Sequence, residues 1–148
     1  MRDVLVLNGP NLRRLGSREP EVYGTATLDD LADACVTAGH ALGLRVEVRQ
    51  TDDEAELVGW VHEAAERRIP VVLNPAAFTH YSYALRDALA MRTAPLVEVH
   101  LTNPAAREVF RHTSVVAGVA DGTVAGFGVL SYELALRAIA VLSAAAQP

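Results

Sequence analysis

The segment VLVLNGPNLRRLGSREPEVYG, residues 4–24, joins a buried strand to a long polar loop. Residues 4–8 form an apolar run that ends in Asn8, which is typical of a strand buried on both faces of a parallel sheet. Proline and glycine interrupt any helical or strand period in the remainder of the segment. A compact α/β protein normally turns directly into its first helix at this point. The loop, which carries three arginines and a tyrosine, therefore points to a functional role.

Strands and helices alternate along the rest of the chain. Short apolar runs predict strands, and apolar residues at helical spacing predict the helices between them. The predicted strands are 4–8, 45–50, 71–74, 96–100 and 122–128, and the predicted helices are about 28–42, 51–68, 82–90 and 130–146. This alternation implies right-handed crossovers and an α/β fold with a doubly wound parallel sheet of about five strands. We expect residues 1–148 to form a single domain.

The composition excludes several classes of partner. A content of 51% hydrophobic residues in 148 residues is enough for a real core. The net charge of -5, without a basic patch, argues against nucleic acid, whose phosphates need clustered cations. No apolar run reaches the roughly 18 residues of a membrane span, and the first residues lack the cleavage region of a secretory signal. We therefore expect a cytoplasmic protein without a membrane partner.

The absence of lysine limits the chemistry further. All 13 basic residues are arginine, so Schiff-base catalysis, pyridoxal phosphate attachment and a P-loop lysine are excluded. The single cysteine, Cys35, allows neither an intramolecular disulfide nor a thiolate metal cluster. It falls on the apolar stripe of the first long predicted helix, where we expect a small core residue.

Polar side chains follow three of the predicted strands. In a doubly wound sheet the ligand site lies outside the carboxyl ends of the strands, near the point where the strand order reverses. These polar residues are Asn8 and Asn11 after the first strand, Asn74 and His80 after the third, and Glu98, His100 and Thr102 at and beyond the end of the fourth. We predict a functional site at this edge, beneath the long loop.

Six motifs, in order along the chain, resemble the type II 3-dehydroquinate dehydratase family. They are NGPNL, REPEVYG, NPAAFTH, ALRDAL, VEVHLTN and REVFRH, and the match extends from Val4 to about Ile139. The resemblance implies a flavodoxin-like fold, no metal or organic cofactor, and a homododecamer arranged as a tetramer of trimers. It also implies the reversible anti elimination of water from 3-dehydroquinate to 3-dehydroshikimate, in the shikimate pathway of aromatic amino acid biosynthesis.

This elimination needs a base, a group that holds the developing enolate oxygen, and an acid for the departing hydroxyl. Because the chain has no lysine for an imine, the enolate route remains. The resemblance assigns the base to Tyr23, the water that stabilises the enolate to Asn11, and the acid to His100. A free phenol, with a pKa of about 10, is nearly all neutral at pH 7, so a phenolate base needs a neighbouring cation, for which Arg18 is the candidate. Glu98, two residues before His100 on one strand face, is placed to orient the imidazole.

We interpret residues 11–26, here called the lid segment, as a lid that carries Arg18 and Tyr23 over the substrate and excludes water. The resemblance also implies a set of binding residues. Asn74, the backbone amides of Leu101 and Thr102 and the Thr102 hydroxyl hold the substrate carboxylate, His80 and Arg111 hold ring hydroxyls, and Asp87 reaches into the site of a neighbouring subunit.

The chain departs from the family pattern at a few positions. Ala76 and Ala77 stand where at least one glycine is common, which narrows the approach of substrate to the backbone. Tyr81 stands where threonine is usual, and Pro104 replaces an aliphatic residue and removes a backbone donor. These changes concern substrate affinity or the exact substrate, and they leave the base, the acid and the lid arginine in place.

Two alternative functions remain open at this point: a flavodoxin-like binding module for a small molecule such as a nucleotide or flavin, and a homologue with an altered substrate or no activity. The first is disfavoured because NGPNLRRLG is a poor phosphate-binding loop. A receiver domain is excluded, since it needs a lysine and acidic residues at the strand ends where this chain has Asn8 and Asn74.

Overall fold

The computed structural model describes residues 1–146, and these contain five parallel strands in one sheet. The strands are β1 (Arg2–Asn8), β2 (Leu44–Gln50), β3 (Val71–Asn74), β4 (Leu96–His100) and β5 (Gly122–Ala125). They lie in the order β2-β1-β3-β4-β5, which is the flavodoxin-like order with its switch point between β1 and β3. The predicted fold class is confirmed.

Helices cover both faces of the sheet. Within residues 1–146 they are α1 (Pro20–Tyr23), α2 (Leu28–Ala41), α3 (Glu54–Arg67), α4 (Tyr83–Ala90) and α5 (Leu130–Ala145). Val4 and Val6 of β1 belong to the core shared with α2 and α5, whereas Leu5 and Leu7 belong to the core shared with α3 and α4. Burial on both faces explains the unbroken apolar run of this strand. No helix in the described range is long and apolar enough to cross a membrane.

Side-chain caps set the helix boundaries and correct two predicted elements. Thr27 and Asp30 form a capping box that begins α2. The predicted helix 51–68 begins only at Glu54, because the Asp53 carboxylate accepts hydrogen bonds from the backbone amides of Ala55 and Glu56 and so acts as the cap. The predicted strand 122–128 ends at Ala125, because Gly126 has a φ of 101° and turns the chain out of the sheet.

Cys35 lies where the sequence predicts it. Its side chain is 1% exposed and belongs to the core between α2, α5 and the sheet. Burial raises the pKa of the thiol to about 12. The cysteine is therefore a core residue in this structure, as expected.

The loops after β1 and β3 touch at the switch point. Asn8 pairs with Asn74 in the strand register, and the Gly9 amide donates to the Asn74 carbonyl at 2.8 Å. A Cβ atom on Gly9 would lie 2.7 Å from the carbonyl oxygen of Pro75, so only glycine allows this approach. The contact fixes the two loops against each other at the edge where the site lies.

The lid segment is anchored at its start. Leu12 and Leu15 are buried in the core beside α2, whereas most of residues 16–26 are exposed or half-buried. The short helix α1 follows Glu19, which has a φ of 41°, and is followed by Gly24, which has a φ of 82°. The part that overhangs the sheet edge thus carries a helical turn between two residues with positive φ.

Candidate active site

A cavity of about 200 Å³ opens at the carboxyl edge of the sheet, beneath the lid segment. Its walls come from the loops after β1, β3 and β4, as expected for a doubly wound sheet. The predicted site residues that line it are Asn11, Arg18, Tyr23, Asn74, His80, His100, Leu101, Thr102 and Arg111. Two predicted residues lie elsewhere: Glu98 stands behind His100, and Asp87 lies on the outer surface of α4.

His100 is held by a buried carboxylate. Its Nε2 atom lies 2.6 Å from Oε2 of Glu98, which is fully buried on β4. The hydroxyl of Thr79 donates to the same oxygen at 2.5 Å, and the hydroxyl of Ser114 lies 3.0 Å from Oε1. Because Nε2 is engaged, Nδ1 is the ring nitrogen that remains for a ligand in the cavity. The sequence identified Glu98 and His100 but not the two hydroxyls.

The Glu98 carboxyl stays ionised in this setting. Burial by itself raises the pKa of Glu98, but hydrogen bonds from His100, Thr79 and Ser114 and the charge of His100 outweigh it and lower the pKa below its ordinary value. The buried carboxylate therefore faces the His100 ring at hydrogen-bonding distance and fixes its orientation at the end of β4.

Tyr23 lies close to two arginines. The guanidinium carbon of Arg18 is 4.9 Å from the centre of the Tyr23 ring, and that of Arg107 is 5.1 Å from it. Arg18 comes from the lid segment, whereas Arg107 comes from the loop after β4 and also donates to the Thr102 hydroxyl at 3.3 Å. Two positive charges stabilise a phenolate more than one does. The sequence identified Arg18 and missed Arg107, although Arg107 begins the quoted motif REVFRH.

Asn11 begins the lid segment in a left-handed conformation, with a φ of 70°. Asparagine tolerates this region better than most residues. Its backbone amide donates to Oδ1 of Asp52 at 2.9 Å, which holds the residue at the rim of the cavity. That hydrogen bond, followed by one from Gln50, lowers the pKa of Asp52 below its ordinary value. Asn11 is thus fixed where it lines the cavity.

Asn74 lies at the floor of the cavity and is almost fully buried. Its Oδ1 accepts from the backbone amide of Ala76 at 3.0 Å, and its Nδ2 donates to the Tyr132 hydroxyl at 2.8 Å. A carboxamide has two N–H donors, so one remains for a ligand. Beside it, Leu101 and Thr102 continue the chain directly from β4 and line the same cavity.

His80 and Arg111 form the outer wall with Phe110. Nδ1 of His80 lies 2.8 Å from the backbone carbonyl of Thr113 and therefore donates to it, which leaves Nε2 as the free ring nitrogen. The rings of His80 and Phe110 meet edge to face with centroids 5.7 Å apart. The guanidinium carbon of Arg111 is 4.6 Å from the Phe110 ring centre, and its Nε lies 3.1 Å from the Glu108 carboxylate. Phe110 carried no signal in the sequence beyond its place in the motif.

Asp87 does not reach the cavity of its own chain. Its side chain is 79% exposed, and Arg86 is an ion-pair partner at 4.0 Å. A site role for Asp87 therefore requires a second subunit.

The residues that depart from the family pattern differ in their relation to the cavity. Ala76 lines the cavity with a φ of 49°, a left-handed conformation that glycine adopts without strain. Tyr81 is exposed and does not line the cavity. Pro104 is the first residue of a 3-10 turn, where an amide has no helical partner, so the missing donor costs little. The backbone donor that Pro104 removes is therefore one that the turn does not need.

Metal ligands are not clustered here. Within residues 1–146, no group of three or more His, Cys, Asp or Glu side chains is arranged to hold a metal ion.

The strand order defines a flavodoxin-like α/β fold, and a tyrosine beside two arginines and a Glu–His pair lie together at its switch point, as in an enzyme's active site. The chain belongs to the dehydroquinase class II family, whose model matches residues 2–140. The resemblance inferred from the six motifs is confirmed.

Relatives and solved structures agree with the family. The chain is 61% identical over 137 residues to the 3-dehydroquinate dehydratase of Salinispora tropica, covering 93% of this chain and 96% of that protein. It is 51% identical over 139 residues to the 3-dehydroquinate dehydratase of Halalkalibacterium halodurans, covering 94% and 96%. The crystal structure of type II dehydroquinase from Propionibacterium acnes superimposes with a TM-score of 0.93 at 57% identity, over 95% of this chain and 97% of that one.

Proposed function

We propose that this chain is a 3-dehydroquinate dehydratase that eliminates water from 3-dehydroquinate, reversibly and with anti geometry, to give 3-dehydroshikimate in the shikimate pathway. The observation that carries the proposal is the placement of Tyr23 close to both Arg18 and Arg107, in a cavity that is also lined by His100, which Glu98 holds from behind. The family membership and the names of the relatives support it.

Tyr23 acts as the base. The guanidinium groups of Arg18 and Arg107 stabilise the phenolate, which removes a proton from the carbon next to the substrate ketone. The bonding electrons move onto the ketone oxygen and form an enolate. Asn11, at the rim of the cavity, holds the water that stabilises this oxygen.

His100 acts as the acid. The enolate collapses, the carbon–oxygen bond of the leaving hydroxyl breaks, and His100 gives this oxygen a proton from Nδ1. Glu98 holds Nε2 and orients the ring for the transfer. The base comes from the lid segment and the acid from the end of β4, so the two proton transfers take place on separate walls of the cavity.

Substrate binding uses the floor and the outer wall. Asn74, the amides of Leu101 and Thr102 and the Thr102 hydroxyl hold the carboxylate, because a compact anion is suited to several aligned donors. His80 and Arg111 hold the ring hydroxyls. Closure of the lid segment excludes water and strengthens the field of Arg18.

The direct test adds 3-dehydroquinate to the purified protein and follows the ultraviolet absorbance of the conjugated enone product. Borohydride present during turnover leaves the protein mass unchanged, because no lysine is available to form an imine. No enone under these conditions contradicts the activity, and a reduced covalent adduct contradicts the enolate route.

The assembly is a separate part of the proposal. We propose a cytoplasmic homododecamer, arranged as a tetramer of trimers, in which Asp87 enters the site of a neighbouring subunit. The 79% exposure of its side chain and its absence from the lining of its own chain's cavity support this role. Light scattering should then give a mass far above the 15.8 kDa of one chain.

A complementation experiment tests the role of Asp87. Asp87→Asn and Tyr23→Phe are each expected to be poorly active, and co-expression of the two variants should restore part of the activity, because mixed assemblies contain sites with both groups intact. Asp33→Asn, an exposed carboxylate on α2, is the control and should keep full activity. Two inactive variants that do not complement each other would place Asp87 outside the neighbouring site.

A further inference from the structure

A chain of buried hydrogen bonds runs beneath the cavity and joins three side chains from β1, β3 and α5. Nδ2 of Asn74 donates to the Tyr132 hydroxyl at 2.8 Å, and this hydroxyl donates to Oδ1 of Asn8 at 2.6 Å. Nδ2 of Asn8 in turn donates to the backbone carbonyl of Arg49 at 3.1 Å. The side chains of Asn8, Asn74 and Tyr132 are all almost completely buried.

The direction of this chain is fixed by backbone groups at its two ends. The Arg49 carbonyl can only accept, so Asn8 turns its N–H group toward it and its oxygen toward Tyr132. At the other end the Ala76 amide can only donate, so Asn74 turns its oxygen toward Ala76 and its N–H groups toward Tyr132 and the cavity. The Tyr132 hydroxyl satisfies both neighbours because it donates to one and accepts from the other.

We propose that Tyr132 is a positioning residue that holds the Asn74 carboxamide with its free N–H toward the cavity, so that this position accepts only a ligand atom that is a hydrogen-bond acceptor. Asn74 uses its oxygen on Ala76 and one N–H on Tyr132, and the second N–H is the group left for a ligand. The inference rests on the proposed role of Asn74 in binding the substrate carboxylate. A reversed carboxamide would turn its oxygen toward that anion and repel it.

The hydroxyl, rather than the ring alone, performs this function. Burial raises the pKa of Tyr132 far above its ordinary value, so the hydroxyl keeps its proton throughout the neutral range. Phenylalanine at this position would fill the same core space and leave the two carboxamides without their shared partner. The free-energy difference between the reversed and the native orientation of the Asn74 carboxamide would then be smaller.

Kinetics of Tyr132→Phe test the proposal. We expect KM for 3-dehydroquinate to rise by about tenfold, equivalent to about 1.4 kcal/mol, while kcat per folded site changes by less than about threefold. A purely structural role would lower the amount of folded enzyme and leave KM unchanged, and that result would overturn the proposal. Ser143→Ala is the matched control, since Ser143 is also buried on α5 and its hydroxyl has no hydrogen-bond partner within residues 1–146.

A double-mutant cycle with Asn74→Ala identifies the route of the effect. If Tyr132 acts through Asn74, Tyr132→Phe should weaken binding in the wild-type background and have no further effect in the Asn74→Ala background. Equal effects in both backgrounds would show that Tyr132 acts by another route and would overturn the proposal.

The cycle is best measured by calorimetric binding of quinate, a hydroxylated cyclohexane carboxylate that lacks the reacting ketone. This readout does not need turnover, so it separates the two proposals. If the wild type binds quinate but does not convert 3-dehydroquinate, the proposed activity fails while the cycle still tests Tyr132. If the wild type binds no quinate up to millimolar concentration, the carboxylate role of Asn74, and the inference with it, is rejected.

Discussion

The two walls of the cavity differ in how they are held. On the strand side, Asn74, Glu98 and His100 sit at the ends of buried strands, and side-chain hydrogen bonds fix each of them. On the lid side, backbone turns hold Arg18 and Tyr23, and within residues 1–146 no hydrogen bond engages the Tyr23 hydroxyl. The proposed acid, His100, is therefore held by the core, whereas the proposed base, Tyr23, depends on the lid segment for its position.

The largest expected effect follows from removal of the base. Tyr23→Phe should lower kcat by about 10²–10⁴-fold at every pH, which is the usual contribution of a general base, and should leave calorimetric binding of quinate nearly unchanged. Tyr83→Phe, an exposed tyrosine on α4, is the control and should behave as the wild type. Substantial turnover by the Tyr23 variant would mean that the base is another residue.

The two arginines allow the walls to be compared directly, because Arg18 belongs to the lid segment and Arg107 to the loop after β4. Replacing either with glutamine should lower kcat by about 10–100-fold, as expected for loss of a charge next to a developing anion, and should move the acidic limb of the rate profile to higher pH. If the phenolate depends on closure, Arg18→Gln should have the larger effect. Arg13→Gln, an exposed charge in the same segment, is the control. An unchanged pH–rate profile in both variants would show that the arginines do not stabilise the phenolate and that the lid segment only shields the cavity from water.

The buried carboxylate predicts a pH dependence on the strand side. The pKa of Glu98 is lower in the folded protein than its ordinary value of 4.5, so its stabilising contribution is complete above about pH 4.5 and is lost as the pH falls below it. Glu98→Gln should lower the free energy of unfolding at neutral pH by about 1–3 kcal/mol, because the network with Thr79 and Ser114 loses its acceptor charge. The variant should also show a weaker decrease of stability in acid, measured by urea unfolding between pH 3 and 7.

A second carboxyl, that of Glu63, should keep the stability of Glu98→Gln dependent on pH in the acid range. Hydrogen bonds from Arg49, and then from Arg67, lower the pKa of Glu63 to about 2, against the burial that raises it. Its contribution is lost in the same acid range, so the slope of stability with pH should decrease in Glu98→Gln without disappearing. A slope identical to that of the wild type would show that Glu98 is already protonated in the folded protein.

The smallest expected effect concerns backbone strain in the loop after β3, on the strand side of the cavity. Ala76 has a φ of 49°, so Ala76→Gly should raise the free energy of unfolding by about 0.5–1 kcal/mol. The glycine relieves the strain of the left-handed conformation, but it also makes the unfolded chain more flexible, which reduces the gain. Ala77, the next residue, has no such conformation, so Ala77→Gly should instead be neutral or destabilising. Thermal unfolding of the two variants measures the contrast, and equal shifts would remove strain as the cause.

The sequence predicts the residues at the strand ends better than the contacts that other parts of the chain make with the site. The apolar run of β1 and the polar residues that follow β1, β3 and β4 are local signals, so the sheet and the positions of Asn74 and His100 could be inferred. Arg107 and Tyr132 could not, since their roles depend on contacts with Tyr23 and Asn74, which are distant in the sequence. Tyr132 has the pattern of any buried helical residue, and the strain at Ala76 depends on a backbone angle that composition does not encode.

The buried position of Cys35 makes it a natural reporter of opening of the core. With 1% exposure and a pKa of about 12, the thiol offers an alkylating reagent neither access nor a thiolate while α2 remains packed against α5. Reaction must therefore follow separation of these helices, and the labelling rate measures how often this occurs. Because the chain contains no second cysteine, this signal comes from a single site. Thiol labelling of the unmodified protein thus distinguishes opening of the α2–α5 core from local movement of the lid segment.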